Sequence, residues 1–381
     1  MTVWDTLVGQ AAVVEVLGAA ATGQGMTHAW LVTGPPGSGR SNAALAFAAA
    51  LQCERFGCGE CHACRTALAG SHPDITRVRT DRLSIGVDEV RDLVRRSALA
   101  PVGRGHQVMV VEDADRLTDQ AGNALLKAIE EPTERTVWLL CAPTLEDVLP
   151  TIRSRCRMVS LTTPRTAEVA AFLVRSEGVT EALASYAARA SQGHIGRARA
   201  LASDEATRNR RREVVSLPLR LTTLGACMTA AANLHEATLE EAEELTGRLD
   251  AKEKADLDAS YGVIERGRRP REYAPALAAM QKAQKTRAKR RHLDVVDRGL
   301  MDLASVYRDA IMMAAGLGAT LVNEELRAEI AELARVSTAE DHLRRIDAIF
   351  AAREQMLEFN VPPLLALEAM MLGLRVSRRA A

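Results

Sequence analysis

The sequence predicts an α/β domain built on a mainly parallel sheet and followed by two helical domains, and three observations lead to this. Short apolar runs alternate with helical patterns up to about residue 162, as in a parallel sheet covered by helices. Beyond that residue the apolar period is helical. The length of 381 residues exceeds what a single core usually supports. We therefore expect domains over residues 1–162, 163–206 and 207–381.

Five apolar or β-branched runs are the expected strands. They are Ala29–Thr33, Ile75–Val78, Val108–Val111, Val137–Cys141 and Met158–Leu161. Between the third and fourth runs, apolar residues at helical spacing predict a helix over Thr118–Glu131, which Pro132 ends. Residues 163–206 are expected to form three short helices, with a turn at Gly193–Gly196.

The composition excludes several classes of protein. The chain has 49 Lys and Arg against 49 Asp and Glu, so it lacks the overall basic field of a nucleic-acid coat protein. Neither a signal peptide nor an 18-residue apolar stretch is visible. We therefore expect a soluble cytoplasmic protein with no membrane partner. In that reducing compartment, clustered cysteines are more often metal ligands than disulfides.

The segment Gly34-Pro-Pro-Gly37-Ser-Gly39-Arg40-Ser41 follows an expected strand and opens an expected helix, which is the context of a phosphate-binding loop. Glycines let backbone N–H groups surround phosphate oxygens, and Ser41 is placed to hold Mg²⁺. Arg40 stands where the motif has lysine, and its broad guanidinium should fit the phosphates less well. The sequence leaves binding of ATP or ADP open and predicts no efficient hydrolysis. A glycine-rich turn without a ligand is the alternative.

An acidic pair follows the strand Val108–Val111, where a nucleotide-hydrolysing site needs one carboxylate for magnesium-bound water and a second to orient the attacking water. The order here is Glu112 then Asp113, whereas ATPases of this kind usually have Asp and then Glu. Both side-chain lengths are altered, which adds a second defect to the one at Arg40. The alternative is that these acids only cap the turn that follows the strand.

Four of the seven cysteines fall within a dozen residues: Cys53, Cys58, Cys61 and Cys64. Four thiolates suit tetrahedral Zn²⁺, and a closed shell of four sulfurs has no open position for catalysis. We predict a structural zinc module over residues 53–64, inserted after the helix of the phosphate loop. An iron–sulfur cluster is the main alternative, because the spacing does not exclude it. His62 is a further candidate ligand.

Together these motifs resemble the clamp-loader branch of the AAA+ family. The resemblance is carried by five segments: Val8-Gly9-Gln10, His28-Ala29-Trp30, the cysteine insertion, Leu117–Pro132 and Ile152–Cys156. It is close over residues 1–206 and weak beyond them. It implies an AAA+-type sheet domain, a small helical lid domain, and an all-α collar through which five subunits assemble.

By this resemblance Arg155, with Ser154 before it, is an arginine finger that enters the ATP site of a neighbouring motor subunit. A guanidinium supplied in this way stabilises the charge that develops on the transferred phosphoryl group. The alternative for Arg155 is a surface salt bridge. The family also implies the partners, which are motor (gamma/tau) and delta subunits in a hetero-pentamer, the sliding clamp and primer–template DNA.

Two further positions depart from the ATP-hydrolysing members of that family. The strand that ends at Pro143 is apolar where those members carry a polar sensor of the γ-phosphate. Thr144, the nearest polar residue, lies one position further along the chain than that sensor. Gly196 stands where they carry a sensing arginine, with Arg197 shifted by one. These departures favour a non-motor clamp-loader subunit with little or no ATPase activity of its own. An ATP-hydrolysing motor subunit and a zinc-module nucleic-acid-binding protein stay open as alternatives.

The C-terminal third contains an acidic stretch, Glu236–Asp258, a basic stretch, Arg266–His292, and a helical tail. The last helix, with apolar residues over Leu364–Leu374, is too apolar for a free surface. A collar contact and an internal position in a helical bundle are both open for it. The basic tract over residues 282–291 could contact DNA phosphates or face the acidic stretch.

Overall fold

The structure is a computed structural model and describes residues 2–80, 84–261, 270–316 and 320–375. The chain forms two compact units, Met1–Ser203 and Asp204–Ala381. The first two predicted domains therefore lie within one unit, and the division of the chain into three domains stays a prediction.

Five parallel strands form the sheet of the first unit, in the order β2-β3-β4-β1-β5. The strands are β1 Ala29–Thr33, β2 Ile75–Val78, β3 Gln107–Val111, β4 Thr136–Ala142 and β5 Arg157–Ser160. Each agrees with a predicted run to within one residue at either end. The predicted parallel α/β fold is therefore confirmed.

Both faces of this sheet are covered by helices, which explains why β1 and β4 are buried at every position. The helices are α1 Ala11–Ala21, α2 Arg40–Gln52, α3 His62–Leu68, α4 Val87–Ser97, α5 Asp119–Glu130 and α6 Pro150–Arg153. Alternate residues of β1 point to opposite faces: Trp30 and Val32 lie in a core with α1 and α2, and Ala29 and Leu31 in a core with α4 and α5. Along β1 and β4, polar groups are therefore found mainly at the ends of the strands.

Helix α5 lies close to where the sequence predicts it. The Thr118 hydroxyl oxygen accepts a hydrogen bond from the backbone N–H of Ala121 at 3.2 Å and caps the first turn. Leu125 and Ile129 are buried against the sheet. The helix ends at Glu130, whose side chain is exposed. A well-anchored helix therefore presents a carboxylate at the surface.

Three helices complete the first unit: α7 Thr166–Glu177, α8 Glu181–Ser191 and α9 Ile195–Ser203. Their shared core includes Val169, Phe172 and Leu201, and Val8 from the start of the chain packs into it. Of the predicted turn at Gly193–Gly196, the first two residues lie between α8 and α9, and the last two are the first residues of α9. The N-terminal segment is thereby fixed to this helical lid.

The second unit has helices and no strand among its described residues. They are α10 Glu205–Ser216, α11 Leu224–Ser260, α12 Tyr273–Ala314, α13 Arg327–Val336, α14 Ala339–Leu357 and α15 Pro363–Gly373. Helix α12 has 42 residues, which corresponds to about 60 Å at the usual rise per residue. In the described ranges, none of the helices combines the length and the apolar character needed to cross a membrane.

One side of α15 is buried in the core of this unit. Leu367, Met370 and Met371 pack there with residues of α11, α12 and α14, whereas Leu365 is 58% exposed. One face of the last helix therefore packs inside the helical bundle, and the opposite face exposes an apolar side chain.

The long helices α11 and α12 bring part of the acidic stretch beside the basic one. Arg287 is buried and donates hydrogen bonds to Glu253, at 2.9 Å from Nη1, and to Asp250 from Nη2. Three lysines of the same tract stay exposed: Lys282, Lys285 and Lys289. Residues 266–269 of the basic stretch lie outside the described residues. The tract therefore faces acidic residues at Arg287, and DNA contact through its lysines stays a prediction.

A buried ion-pair network holds α10 to the rest of the second unit. Arg211 donates from Nε to Asp302 and from Nη1 to Glu325, both at 3.1 Å, and from Nη2 to Asn323. Arg211, Asp302 and Asn323 are all buried. Removing one partner of a buried pair is costly, because it leaves a charge without compensation.

Replacement of Arg211 by leucine should lower the free energy of unfolding of the second unit by about 3 kcal/mol or more, since Asp302 loses its cation. Denaturant unfolding of the full chain, followed by circular dichroism, measures this. Arg212→Leu at the exposed neighbouring position is the matched control and should change the free energy by less than about 0.5 kcal/mol. Equal losses in the two variants would contradict the role of the network.

Candidate functional site

The loop between β1 and α2 has the backbone of a phosphate-binding loop. Gly37 and Gly39 have φ angles of 80° and 98°, in the left-handed region that favours glycine. Gly39 is the residue before the first turn of α2, so the N-terminus of that helix opens directly from the loop. The predicted loop residues from Gly34 to Ser41 are therefore brought together at the carboxyl end of β1, where an anion can meet backbone N–H groups.

Arg40, in the position of the usual lysine, is half-buried and bound back to the loop. Its Nη1 donates a hydrogen bond to the carbonyl oxygen of Gly34 at 2.7 Å. Burial lowers the pKa of Arg40, and the carboxylates of Asp115 and Asp113 act in the opposite direction. Arginine still stays charged at physiological pH. The loop thus carries a cation, but one of its donors is occupied by the loop itself.

The start of α9 covers the loop at Gly37. The backbone N–H of Ile195 donates to the carbonyl oxygen of Gly37 at 3.2 Å. A Cβ atom on Gly37 would lie 2.2 Å from Cγ of His194, so only glycine allows this approach. The Nδ1 atom of His194 accepts a hydrogen bond from the backbone N–H of Arg197 at 3.2 Å. The lid is therefore closed onto the loop through backbone and ring contacts.

The two predicted acids, Glu112 and Asp113, directly follow β3 and have different surroundings. Glu112 is buried, and its carboxylate is paired with Nε of Arg77 on β2. Asp113 is among the charges that act on Arg40. Asp115, which also interacts with Arg40, has a pKa that is raised by burial. A metal ion at Glu112 would have to replace the pair with Arg77, whereas Asp113 lies on the side of the phosphate loop.

The segment after β4 also makes internal contacts. The backbone N–H and the hydroxyl of Thr144 both donate to Oδ2 of Asp147, at 2.9 and 2.8 Å. The carbonyl oxygen of Pro143 accepts a hydrogen bond from the backbone N–H of Gly34 at 3.2 Å. The hydroxyl nearest to the expected sensor position is therefore engaged by its own turn.

Gln10, from the predicted entry segment, ties the start of the chain to the link between β5 and the lid. Its Nε2 donates to the carbonyl oxygen of Thr162 at 2.7 Å, and its Oε1 accepts from the backbone N–H of Thr162 at 3.1 Å. The amide group of Gln10 therefore bonds to both the N–H and the C=O of one residue, as the backbone of an adjacent strand does.

Arg155 lies at the surface, between α6 and β5, with 39% of its side chain exposed. Its Nε donates a hydrogen bond to Oε1 of Glu130 at 2.6 Å, and its Nη2 lies 2.5 Å from the same oxygen in an ion pair. Its Nη1 donates to the carbonyl oxygen of Thr151 at 2.8 Å and to Oγ of Ser154 at 3.2 Å. Both residues of the predicted Ser-Arg motif therefore belong to one exposed cluster.

The phosphate loop and Arg155 lie at opposite edges of the sheet. Strands β1 and β5 run parallel, with Trp30 opposite Arg157 and Thr33 opposite Ser160. The loop follows the carboxyl end of β1, whereas Arg155 precedes the amino end of β5. At the usual rise per residue, the levels of Arg155 and Gly34 differ by roughly 20 Å along the strands. The structure does not bring Arg155 to the loop of its own chain.

The four clustered cysteines form a compact group of ligand atoms. Their Sγ atoms all lie within 4.8 Å of one another, and Cys53 is 3.6 Å from both Cys58 and Cys61. They are free thiols rather than disulfides. Sulfurs bound to one tetrahedral ion at ~2.3 Å lie about 3.8 Å apart, so the group could hold a metal ion. His62 is exposed at the start of α3 and is not part of this group.

Backbone N–H groups point at the sulfur atoms of the cluster. The N–H groups of Glu60 and Cys61 lower the pKa of Cys58 to about 6, which favours the thiolate that binds metal. The N–H of Cys64 donates to Sγ of Cys61 at 3.4 Å. The backbone N–H of Val3 donates to the carbonyl oxygen of Gly57 at 3.0 Å, inside the same loop. A metal ion here would therefore also fix the N-terminal segment.

Several contacts of this site were not predicted from the sequence. The side chains that make them are Arg77, Glu130, Asp147 and His194. Arg77 interrupts an otherwise apolar strand and Glu130 lies inside a family signature, which are weak local signals. Nothing in the local sequence reveals which side chain each of them meets, because the partners are tertiary.

The sheet order, the glycine loop at the end of β1 and the lid over it define an AAA+-type P-loop domain. Residues 9–165 match a family model described as DNA polymerase III, delta subunit. This match confirms, for that region, the resemblance to the clamp-loader family that the motifs predict.

Three curated relatives agree with the family model. DNA polymerase III subunit delta′ of Yersinia pestis is 39% identical over 159 residues, which are 40% of this chain and 46% of the relative. Subunit delta′ of Escherichia coli is 35% identical over 181 residues, 46% of this chain and 54% of the relative. Subunit tau of Bacillus subtilis is 34% identical over 158 residues, 40% of this chain and 28% of the relative. The chain spans about half the length of these delta′ relatives. Because delta′ and tau subunits both match, sequence similarity alone does not distinguish a non-motor from a motor subunit.

Proposed function

We propose that the chain is a non-motor subunit of the delta′ kind in a DNA polymerase III clamp loader. It helps to load the sliding clamp onto primed DNA and donates Arg155 to the ATP site of a neighbouring motor subunit. The position of Arg155 carries this proposal: the side chain is exposed and lies at the opposite edge of the sheet from its own phosphate loop. A guanidinium so placed can stabilise phosphoryl transfer only in another subunit.

The internal contacts of the phosphate loop support the non-motor role. Arg40 is bound to Gly34, and His194 lies against Gly37. Glu112 is neutralised by Arg77. Groups that a motor subunit would use on ATP, Mg²⁺ and the attacking water are thus engaged within the chain, and the proposal includes little or no ATP hydrolysis by the chain alone.

The proposed partners are motor (gamma/tau) and delta subunits of a cytoplasmic hetero-pentamer, with the clamp and primer–template DNA reached through the complex. An exposed apolar stripe on α14 supports assembly through the second unit. Leu343, Phe350 and Leu357 lie seven residues apart and are 52%, 43% and 42% exposed. Because seven residues are almost two helical turns, these side chains share one face. Such a face suits packing against a helix of an adjacent subunit.

We further propose that the cysteine group holds one structural Zn²⁺. The ligand set is all sulfur, and the Sγ atoms have the spacing of a tetrahedral site. Zinc bound there supplies a cross-link between the end of α2 and the start of α3. The four thiolates fill its coordination shell, so the chain offers it no role in a reaction.

Arg155→Ala should lower the DNA-stimulated ATPase rate of the assembled clamp loader, because the neighbouring ATP site loses a stabilising guanidinium. Such a guanidinium raises the rate of hydrolysis at its site by ~10³-fold or more. Assembly, followed by size-exclusion chromatography with light scattering, should not change. Arg153→Ala, two residues earlier in the same segment, is the control. Unchanged turnover in Arg155→Ala would refute the finger. Steady hydrolysis by the isolated chain that Arg40→Ala abolishes would support a motor subunit instead.

A double variant with Leu343→Gln and Phe350→Gln should weaken assembly with the other clamp-loader subunits by more than about tenfold, because two large apolar side chains no longer gain from burial. Titration followed by light scattering measures the affinity, and circular dichroism checks the fold. Leu245→Gln with Leu249→Gln alters exposed leucines on α11 and is the matched control. Normal assembly of the first variant would contradict the assignment of this face.

The purified full chain should contain one zinc ion per molecule by elemental analysis, and a strong chelator should lower its thermal unfolding midpoint. Cys61→Ser removes one ligand and should reduce the zinc content to well under half an equivalent. Cys156→Ser changes a thiol outside the group and should leave the zinc content unaltered. Iron and sulfide in place of zinc would establish the iron–sulfur alternative.

A further inference from the structure

We infer that Glu130 is a positioning residue for Arg155. Its carboxylate fixes the guanidinium plane so that the terminal edge meets the γ-phosphate of a nucleoside triphosphate held by the neighbouring subunit. This rests on the proposed function of Arg155 and adds a residue on a different helix to that site.

Glu130 belongs to a long, well-anchored helix, whereas Arg155 follows a helix of a single turn. Glu130 is the last residue of α5, a helix capped by Thr118 and anchored in the core by Leu125 and Ile129. Arg155 follows the single turn of α6 and has a long, exposed side chain. An exposed arginine samples many rotamers, and ordering them at the moment of reaction slows catalysis. The fixed carboxylate removes that freedom beforehand.

The contacts select one edge of the guanidinium. Glu130 takes the edge formed by Nε and Nη2 through a single oxygen, at 2.6 and 2.5 Å. The terminal edge formed by Nη1 and Nη2 can then face a phosphoryl group, where two parallel N–H donors bind well. Of the Nη1 contacts, the one to Ser154 at 3.2 Å is longer than the one to Thr151 at 2.8 Å. A phosphoryl oxygen would replace the Ser154 contact first.

Stability alone does not account for this pair. The side chains of Arg155 and Glu130 are 39% and 44% exposed, and ion pairs of that kind contribute little to folding. Removing the carboxylate should therefore leave the folded chain intact. Its neighbour Glu131 is also exposed and carries the same charge, which makes Glu131 a matched control.

The test uses the full chain assembled with its motor and delta subunits, and measures kcat and KM for ATP with DNA present. Glu130→Ala should lower kcat about tenfold or more, as expected for a misplaced catalytic group, with little change in KM. Glu130→Gln keeps an oxygen that can accept the hydrogen bond from Nε, and should recover part of the rate. Glu131→Gln should behave as wild type. In an Arg155→Ala background, Glu130→Ala should cause no further loss. Unfolding midpoints and assembly should be the same for all variants.

The outcomes separate this inference from the proposed function. If Arg155→Ala has no effect on turnover, the finger itself is wrong and Glu130 loses its role with it. If Arg155→Ala slows turnover but Glu130→Ala does not, the finger stands and the positioning role is refuted. A faster rate in Glu130→Ala would show that the carboxylate restrains the arginine, which also overturns the inference. Additive losses in the double variant would place Glu130 in a different step.

Discussion

The parallel register of β1 and β5 is the constraint on which the placement of the candidate residues depends. Because the strands run parallel, the segments that follow Thr33, Val111 and Ala142 all emerge at one edge of the sheet. The segment that precedes β5 emerges at the other edge, and it carries Arg155. Helices cover both faces, so these edges are where polar groups can gather. A single sheet thus separates the glycine loop of the chain from Arg155.

At the loop edge, binding and hydrolysis of a nucleotide depend on different features. The contacts that close the loop are single hydrogen bonds, from Arg40 to Gly34 and from Ile195 to Gly37, each contributing about 1 to 3 kcal/mol net. A phosphate ligand can displace contacts of that strength. Hydrolysis also needs a carboxylate for the magnesium ion, and the carboxylate of Glu112, the first acid after β3, is paired with Arg77. We therefore expect the contacts at this edge to lower hydrolysis of a nucleotide more than its binding.

Much of the fold could be predicted from local sequence. The three inner strands, β1, β3 and β4, are buried at every position and are mainly apolar. The two outer strands are short runs rich in apolar and β-branched residues, and all five strands were predicted to within one residue. Thr118 and Pro132 delimit α5 through capping and a missing N–H donor. The cysteine group follows from its spacing alone. In contrast, the approach of His194 to Gly37 requires the lid to fold back over a distant loop. The pairing of Arg77 with Glu112 is equally non-local, and the local sequence does not specify it.

The arginines of this chain show how burial sets the role of an ion pair. Arg211 is buried with its partner Asp302, so this pair is expensive to break and holds helices together. Arg287 is also buried, and its partners Asp250 and Glu253 are half-buried. Arg155 has a partner of the same kind, but both side chains reach solvent, and water screens most of their attraction. A phosphate carries more charge than one carboxylate and can share the guanidinium with Glu130 at small cost. The side chain is therefore ordered and still available, which are the two properties that an arginine acting across a subunit boundary needs.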